Sequence, residues 1–217
     1  MKSRYAFSAA MIVLCALFAS CANTSPEIFA SSASVVFDYR DEESYPKVRL
    51  SVFTETGSDA RRAASVKIVS QNGGMEWTAE APLVIGAERR QWAGYTGFVW
   101  PDGRAPEEGS YTVQYTDAQG RTVQNTFVLD FPENLAETKA TDAVKKLGND
   151  AQEYIAAYMA DGTLIYYNRR KPEWNTDGAL WDGIKLASSI RICYSVRNGS
   201  VICLMPEQQR PSSKNAQ

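Results

Sequence analysis

Asn168 to Gly183, NRRKPEWNTDGALWDG, carries three consecutive bases, two tryptophans and two Asp-Gly turns, and concentrates more potential chemistry than any other stretch. Trp174 and Trp181 could stack on sugar rings, and Arg169, Arg170 and Lys171 could meet an acidic partner. The competing reading lays both tryptophans over a core and leaves the bases in water. Asn175, Asp177 and Asp182 lack both the D-x-D-x-D-G spacing and the closing Glu of a calcium loop, so no metal is assigned. The chain has no histidine. That removes histidine triads, histidine general bases and histidine metal sites, leaving carboxylates, Lys, Tyr, Ser or Cys. A two-carboxylate hydrolase needs one acid raised in pKa by an apolar setting. Here the acids sit in polar loops such as Asp41-Glu42-Glu43 and Glu107-Glu108, and no spacing marks a pair. No catalytic residue and no cofactor is assigned.

Whatever these residues do, the elements that hold them come from a chain of 217 residues, 44% apolar and 22% charged, which is ordinary globular composition. Without residues 1–20, which carry Lys2 and Arg4 and no acid, 21 bases face 25 acids. This weak acidic balance gives no footprint for nucleic acid.

Met1 to Arg4 is basic, and Ala6 to Ala19 is an apolar run of 14 residues broken only by Ser8. As a helix it would reach about 21 Å, short of a hydrocarbon core of roughly 30 Å, so it reads as a signal peptide over 1–20 and not as a span. Leu17-Phe18-Ala19-Ser20-Cys21 resembles the lipobox of bacterial lipoproteins, in the looser form found in spirochaetes, with Leu17 one place further from the cysteine than usual. The resemblance implies that Cys21 is acylated and becomes the first mature residue, anchoring the chain in a membrane. The alternative is a plain signal peptide cut after Ala19 or Ala22. Residues 21–33, rich in Ser and Ala, read as a flexible tether.

From residue 34 to 131 short apolar segments alternate with turns. Val35–Tyr39, Lys47–Thr54, Ser65–Ser70, Met75–Ala79, Pro82–Ile85 and Gln91–Trp100 read as strands, and Gly109 to Phe131 as a hairpin in which Tyr111, Val113 and Tyr115 face one way. The fold class is therefore mainly β. Glu107 to Val113, EEGSYTV, resembles the corner of immunoglobulin-like and fibronectin-type domains. That resemblance implies an Ig-like β-sandwich in which Tyr111 is structural, its hydroxyl bonded back to nearby backbone.

Residues 132–205 read as an amphipathic helix followed by a small α+β module ending in a β-hairpin. Val144, Leu147, Ala151, Tyr154, Ile155, Tyr158 and Met159 recur at helical spacing, with Gly162 as the stop. Thr163–Tyr167, Ile190–Val196 and Ser200–Leu204 read as strands, the last two joined at Asn198-Gly199. A three-residue turn closing on Val196 and Ser200 would set Cys193 opposite Cys203, at a separation that admits a disulfide; the alternative is two buried free thiols. Residues 206–217 read as a disordered tail.

The reading favoured on these grounds is a non-enzymatic, lipid-anchored protein of the bacterial envelope, on the periplasmic face of either membrane or at the cell surface. Its expected partners are the membrane through Cys21 and an envelope protein or glycan. A carbohydrate-binding module using exposed tryptophans is the second reading and a carboxylate hydrolase the third.

Overall fold

The computed structural model describes residues 25–57, 60–87, 90–101 and 103–211. Residues 1–24, with the expected signal peptide and Cys21, and residues 212–217 lie outside this range. The chain is mainly β. Its first half contains β1 (Ile28–Asp38), β2 (Lys47–Thr56), β3 (Ala63–Ser70), β4 (Glu76–Ala79), β5 (Leu83–Ala87), β6 (Arg90–Phe98), β7 (Gly109–Asp117) and β8 (Thr122–Leu129). Each of these strands overlaps a segment that the sequence marks, by period-two alternation in β2, β7 and β8 and as a short apolar run in β5 and β6.

The turn between β7 and β8 is built on one carboxylate. Asp117 Oδ1 accepts from the backbone N–H groups of Gln119 and Arg121 at 2.9 and 3.0 Å, while Arg121 Nη2 donates to Oδ2 at 2.6 Å. Gly120, at φ 77°, supplies the left-handed residue the turn requires. Burial of Asp117 works against its charge, but the hydrogen bonds from Arg121 and Gln119 outweigh it and hold the carboxyl below the usual range.

The strands form two sheets, one running β4-β3-β7-β8 and the other including β1-β2-β6-β5. Val35 and Phe37 of β1, Leu50 and Val52 of β2, Val66 and Ile68 of β3, and Tyr111, Val113 and Tyr115 of β7 share one core. The Tyr111 hydroxyl donates to the Glu107 carbonyl at 2.7 Å, closing the corner before β7.

β1 begins at Ile28, so residues 28–33 are not part of a tether. Ser31 pairs with Thr54 and Ala33 with Val52 of β2. The segment's Ser and Ala side chains hide its strand character because its ordering comes from backbone pairing and from a close neighbour: Asn125 Nδ2 of β8 donates to Ser31 Oγ at 3.2 Å.

The second half departs further from expectation. Helix α1 (Ala140–Leu147) ends at Gly148, whose φ of 78° breaks the helix. Residues 152–158, read as continuing that helix, are strand β9 (Gln152–Tyr158), followed by β10 (Leu164–Arg169), helix α2 (Asp177–Gly183), β11 (Ser189–Val196) and β12 (Val201–Gln209). Both faces of β9 are covered. Ile155 and Ala157 pack into one core, and Ala156 is also buried on the other face, so no alternation survives to mark a strand.

These strands do not form a sheet of their own. β12 runs parallel to β1, Val35 opposite Val201 and Asp38 opposite Leu204, giving one eight-stranded sheet in the order β10-β9-β11-β12-β1-β2-β6-β5. A bulge in β12, where Met205 and Pro206 stand against the single residue Ile192, interrupts the ladder beside Arg191. Its Nη2 donates to Asp38 Oδ1 at 2.5 Å and to the Tyr39 carbonyl at 3.0 Å, and its Nε to the Met205 carbonyl at 2.7 Å. Residues 206–209, expected in a disordered tail, belong to β12. Arg210, just beyond, donates to the carbonyls of Ala187, Trp181 and Ile184 and so fastens the C-terminal end of α2.

Cys193 and Cys203 are buried free thiols, not a disulfide. The loop between β11 and β12 is one residue longer than expected: Val196 pairs with Val201, which sets Cys193 opposite Leu204 and Cys203 opposite Tyr194. One residue of register places neighbouring side chains on opposite faces, so the two sulfurs point away from each other. Arg197 and Asn198 both take positive φ, 51° and 56°, and absorb the extra residue. Burial pushes the Cys193 thiol up to about 11 and the Cys203 thiol up to about 12.

Two outcomes follow from this arrangement. Replacing Arg191 with Met strips β1 and β12 of their shared donor and should lower the unfolding free energy by about 2–3 kcal/mol, read as a shift in urea midpoint. Iodoacetamide at pH 8 should leave Cys193 and Cys203 unmodified in the folded chain and add one carbamidomethyl group to each in urea without reductant, read by peptide mass; no uptake at these two positions in urea would mean that they are bonded.

Candidate functional site

In the segment from Arg169 to Gly183 both tryptophans and Arg170 build the fold, while Arg169 faces a cleft. Trp174 and Trp181 are 5% and 6% exposed, inside a second core with Ile155, Leu180 and Ile190. Neither can stack on a ligand. The Trp174 ring meets Tyr166 edge-on, with centroids 5.2 Å apart. Gly183 is required beneath it, since a Cβ there would come within 2.3 Å of the indole nitrogen. Trp181 lies under the Arg210 guanidinium, 4.8 Å from the ring centre. α2 is held at its start by Thr176, whose hydroxyl oxygen accepts from the Ala179 N–H at 3.2 Å.

Two of the three bases are likewise engaged. Arg170 donates to the Trp174 carbonyl at 2.6 Å and to Glu153 at 2.9 Å, tying the loop to β9. Lys171 stands 5.0 Å from the centre of the Trp174 ring and 3.9 Å from Glu173. The remaining tryptophans form no exposed row: Trp100 is buried, Trp92 is half-buried, and Trp77 lies 3.9 Å from Trp100 with its N–H bonded to the Val99 carbonyl.

Arg169 is different. At the end of β10 it opens onto a cleft of about 810 Å³ between the start of β9, the β11–β12 turn, the end of α1 and Pro132. That size is within the roughly 300 to 1,000 Å³ of small-molecule sites. Three cations reach it, Lys146 from α1, Arg169 from β10 and Arg197 from the turn, against one lining carboxylate, Asp150. Arg197 Nη1 is also paired with Asp130. Arg169 Nη2 donates to Gln152 Oε1 at 2.5 Å, and the Tyr154 hydroxyl donates to the same oxygen at 3.3 Å. Tyr154 stacks on Tyr167 with centroids 5.6 Å apart and ring planes 17° from parallel, and the Arg169 guanidinium lies 6.0 Å from the Tyr154 ring centre. Burial pushes the Tyr167 phenol up, with Cys193, Tyr154 and Tyr158 nearby adding to it.

Tyr154 and Tyr167 lie on the face of the large sheet turned away from α2. Ile155, next to Tyr154, pairs with Ile192 on the α2 side, whereas Tyr154 pairs with Cys193. Sequence reasoning found Arg169 but missed Lys146, Gln152, Tyr154 and Arg197. These come from three separate elements, α1, β9 and the β11–β12 turn, with no spacing common to all of them. Reading Gln152 and Tyr154 as helical removed the remaining signal. Among the described residues no three Cys, Asp or Glu side chains gather as a metal site.

No protein-family model matches the chain, nor does any curated protein or solved structure compared with it. The geometry is what defines it: a β-rich chain of two sheets, one extended to eight strands, with a basic cleft where the added strands end.

The division between building and facing residues has a measurable consequence. Trp174→Ala and Trp181→Ala should each cost about 3–5 kcal/mol of stability in chemical denaturation. Arg169→Gln should change it by no more than about 0.5 kcal/mol.

Proposed function

We propose that this is a lipid-anchored protein of the bacterial envelope with a non-enzymatic binding role, built on an Ig-like β-sandwich. The observation that carries the anchoring is the run from Met1 to Cys21: a basic start, an apolar stretch too short to span, and a cysteine after two small residues. The start of β1 at Ile28 adds to it. Six residues, Ala22 to Glu27, separate Cys21 from the large sheet, a reach of about 20 Å fully extended. Acyl chains on Cys21 would therefore hold the folded body against the membrane surface.

Strand order supports the Ig-like reading. The sequence β1-β2-β6-β5 over β4-β3-β7-β8 corresponds to strands A-B-E-D over C′-C-F-G. Tyr111, at the start of the strand in the F position, bonds back to the Glu107 carbonyl as the tyrosine corner of such domains does. The module from β9 to β12 is then an addition along the A-strand edge.

Carbohydrate binding is the second reading, and the stacked pair Tyr154 and Tyr167 beside the cleft favours it, in place of the tryptophans.

Growth with an alkyne-tagged fatty acid tests the anchor. The wild-type chain should take up the label and partition into detergent, and Cys21→Ser should do neither; an unlabelled wild-type chain overturns the proposal.

A further inference from the structure

We infer that the cleft at the end of the added strands binds an acidic oligosaccharide, one bearing carboxylate or phosphate groups on its sugars. This deepens the binding role proposed above and rests on it, but not on the lipid.

The inference follows from which hydrogen-bonding groups are already used. Gln152 Oε1 accepts from both Arg169 and Tyr154, so its acceptor is spent on positioning them while its amide hydrogens are left to a ligand. The Gly199 carbonyl at the turn is taken by the Ser34 hydroxyl at 2.6 Å. What the lining offers is predominantly donors: the Lys146 ammonium, the Arg169 and Arg197 guanidinium groups, and the side chains of Ser195 and Asn198. A donor-rich lining of net positive charge selects a ligand rich in acceptors and negatively charged.

Two features carry the choice beyond a simple anion. A cleft of about 810 Å³ is much larger than one phosphate or carboxylate requires. Its walls also hold the Tyr154 ring and the apolar groups of Pro132, Leu147 and Val196, surfaces on which the carbon face of a sugar packs. Arg197 keeps its ion pair with Asp130 through Nη1 and still has further N–H groups for a ligand. The Asp150 carboxylate, on the α1 side, disfavours an anion placed against it and so directs the acidic group toward Arg169 and Arg197.

Calorimetric titration of the full chain in detergent, with three probes, tests this. Hexagalacturonate supplies carboxylates on a sugar chain, galactohexaose the sugar without charge, and hexaglutamate the charge without sugar. Hexagalacturonate should bind, at least tenfold more tightly than either other probe, and should weaken as salt is raised. Arg169→Gln and Lys146→Gln should each weaken it five- to tenfold with unchanged circular dichroism, while Lys67→Gln, whose side chain pairs with Glu76 within the four-stranded sheet, should not. No binding of hexagalacturonate, equal binding of galactohexaose, tighter binding of hexaglutamate, or indifference to both cleft variants overturns the inference. So does binding that requires vesicles containing phosphatidylglycerol. The Cys21→Ser chain should bind hexagalacturonate as the wild type does, so a failed anchor and a failed cleft give different results.

Discussion

A parallel pairing between the first strand of the body and the last, locked by one guanidinium, is the constraint on which the rest of this structure depends. β1 and β12 meet over only four pairs, Val35 with Val201 to Asp38 with Leu204. Short parallel ladders contribute modestly by themselves. Arg191 compensates from the next strand by donating to Asp38, to the Tyr39 carbonyl and to the Met205 carbonyl. A charge-assisted, partly buried set of bonds fixes register as well as adding energy. The bulge in β12 at Met205 and Pro206 interrupts the ladder beside this side chain, which crosses β12 to reach β1.

This pairing removes an edge. Without it, β1 would present unpaired backbone groups beside β2, a template for association with other chains. With it, β12, β11, β9 and β10 extend the sheet outward to a strand of six residues. α2 covers one face of the addition, and Arg210 beyond β12 holds the end of α2. The two cores are thus coupled: α2 is fastened by the residue that follows the strand paired with β1. The cleft is a by-product of the same geometry. β12 begins opposite Val35, seven residues along β1, so the added strands stop short of the start of β1 and leave a shoulder where turn, helix end and strand ends converge.

Several departures from expectation share one cause. The disulfide depended on a hairpin loop of three residues, and the observed loop has one more, with Arg197 and Asn198 in positive φ. Both lengths satisfy the Asn-Gly signal, and a single residue reverses which face each cysteine occupies. The helix expected to continue past Leu147 stopped at Gly148, yet Tyr154, Ile155 and Tyr158 do fit helical spacing. A strand covered on both faces has no period of two to display, so pattern alone could not separate the alternatives. Trp174 and Trp181 had two uses open to them, and burial in a core against Ile155 and Leu180 is the one the fold adopts.

What the chain determined by itself is local: the eight strands before Pro132, with the alternation that divides inner from outer faces in β2, β7 and β8; the turn at Asp117 to Gly120; the corner at Tyr111; and the apolar segment before Cys21. Each depends on residues within a few positions of one another, where spacing and side-chain type suffice. What only the tertiary structure decided is non-local: the joining of both halves in one sheet, the strand identity of residues 28–33 and 152–158, the fate of the cysteines, and the gathering of Lys146, Gln152, Arg169 and Arg197 around one cleft. These rest on contacts between residues far apart in the chain, as between Val35 and Val201, and no local periodicity encodes which distant strand a given edge will accept.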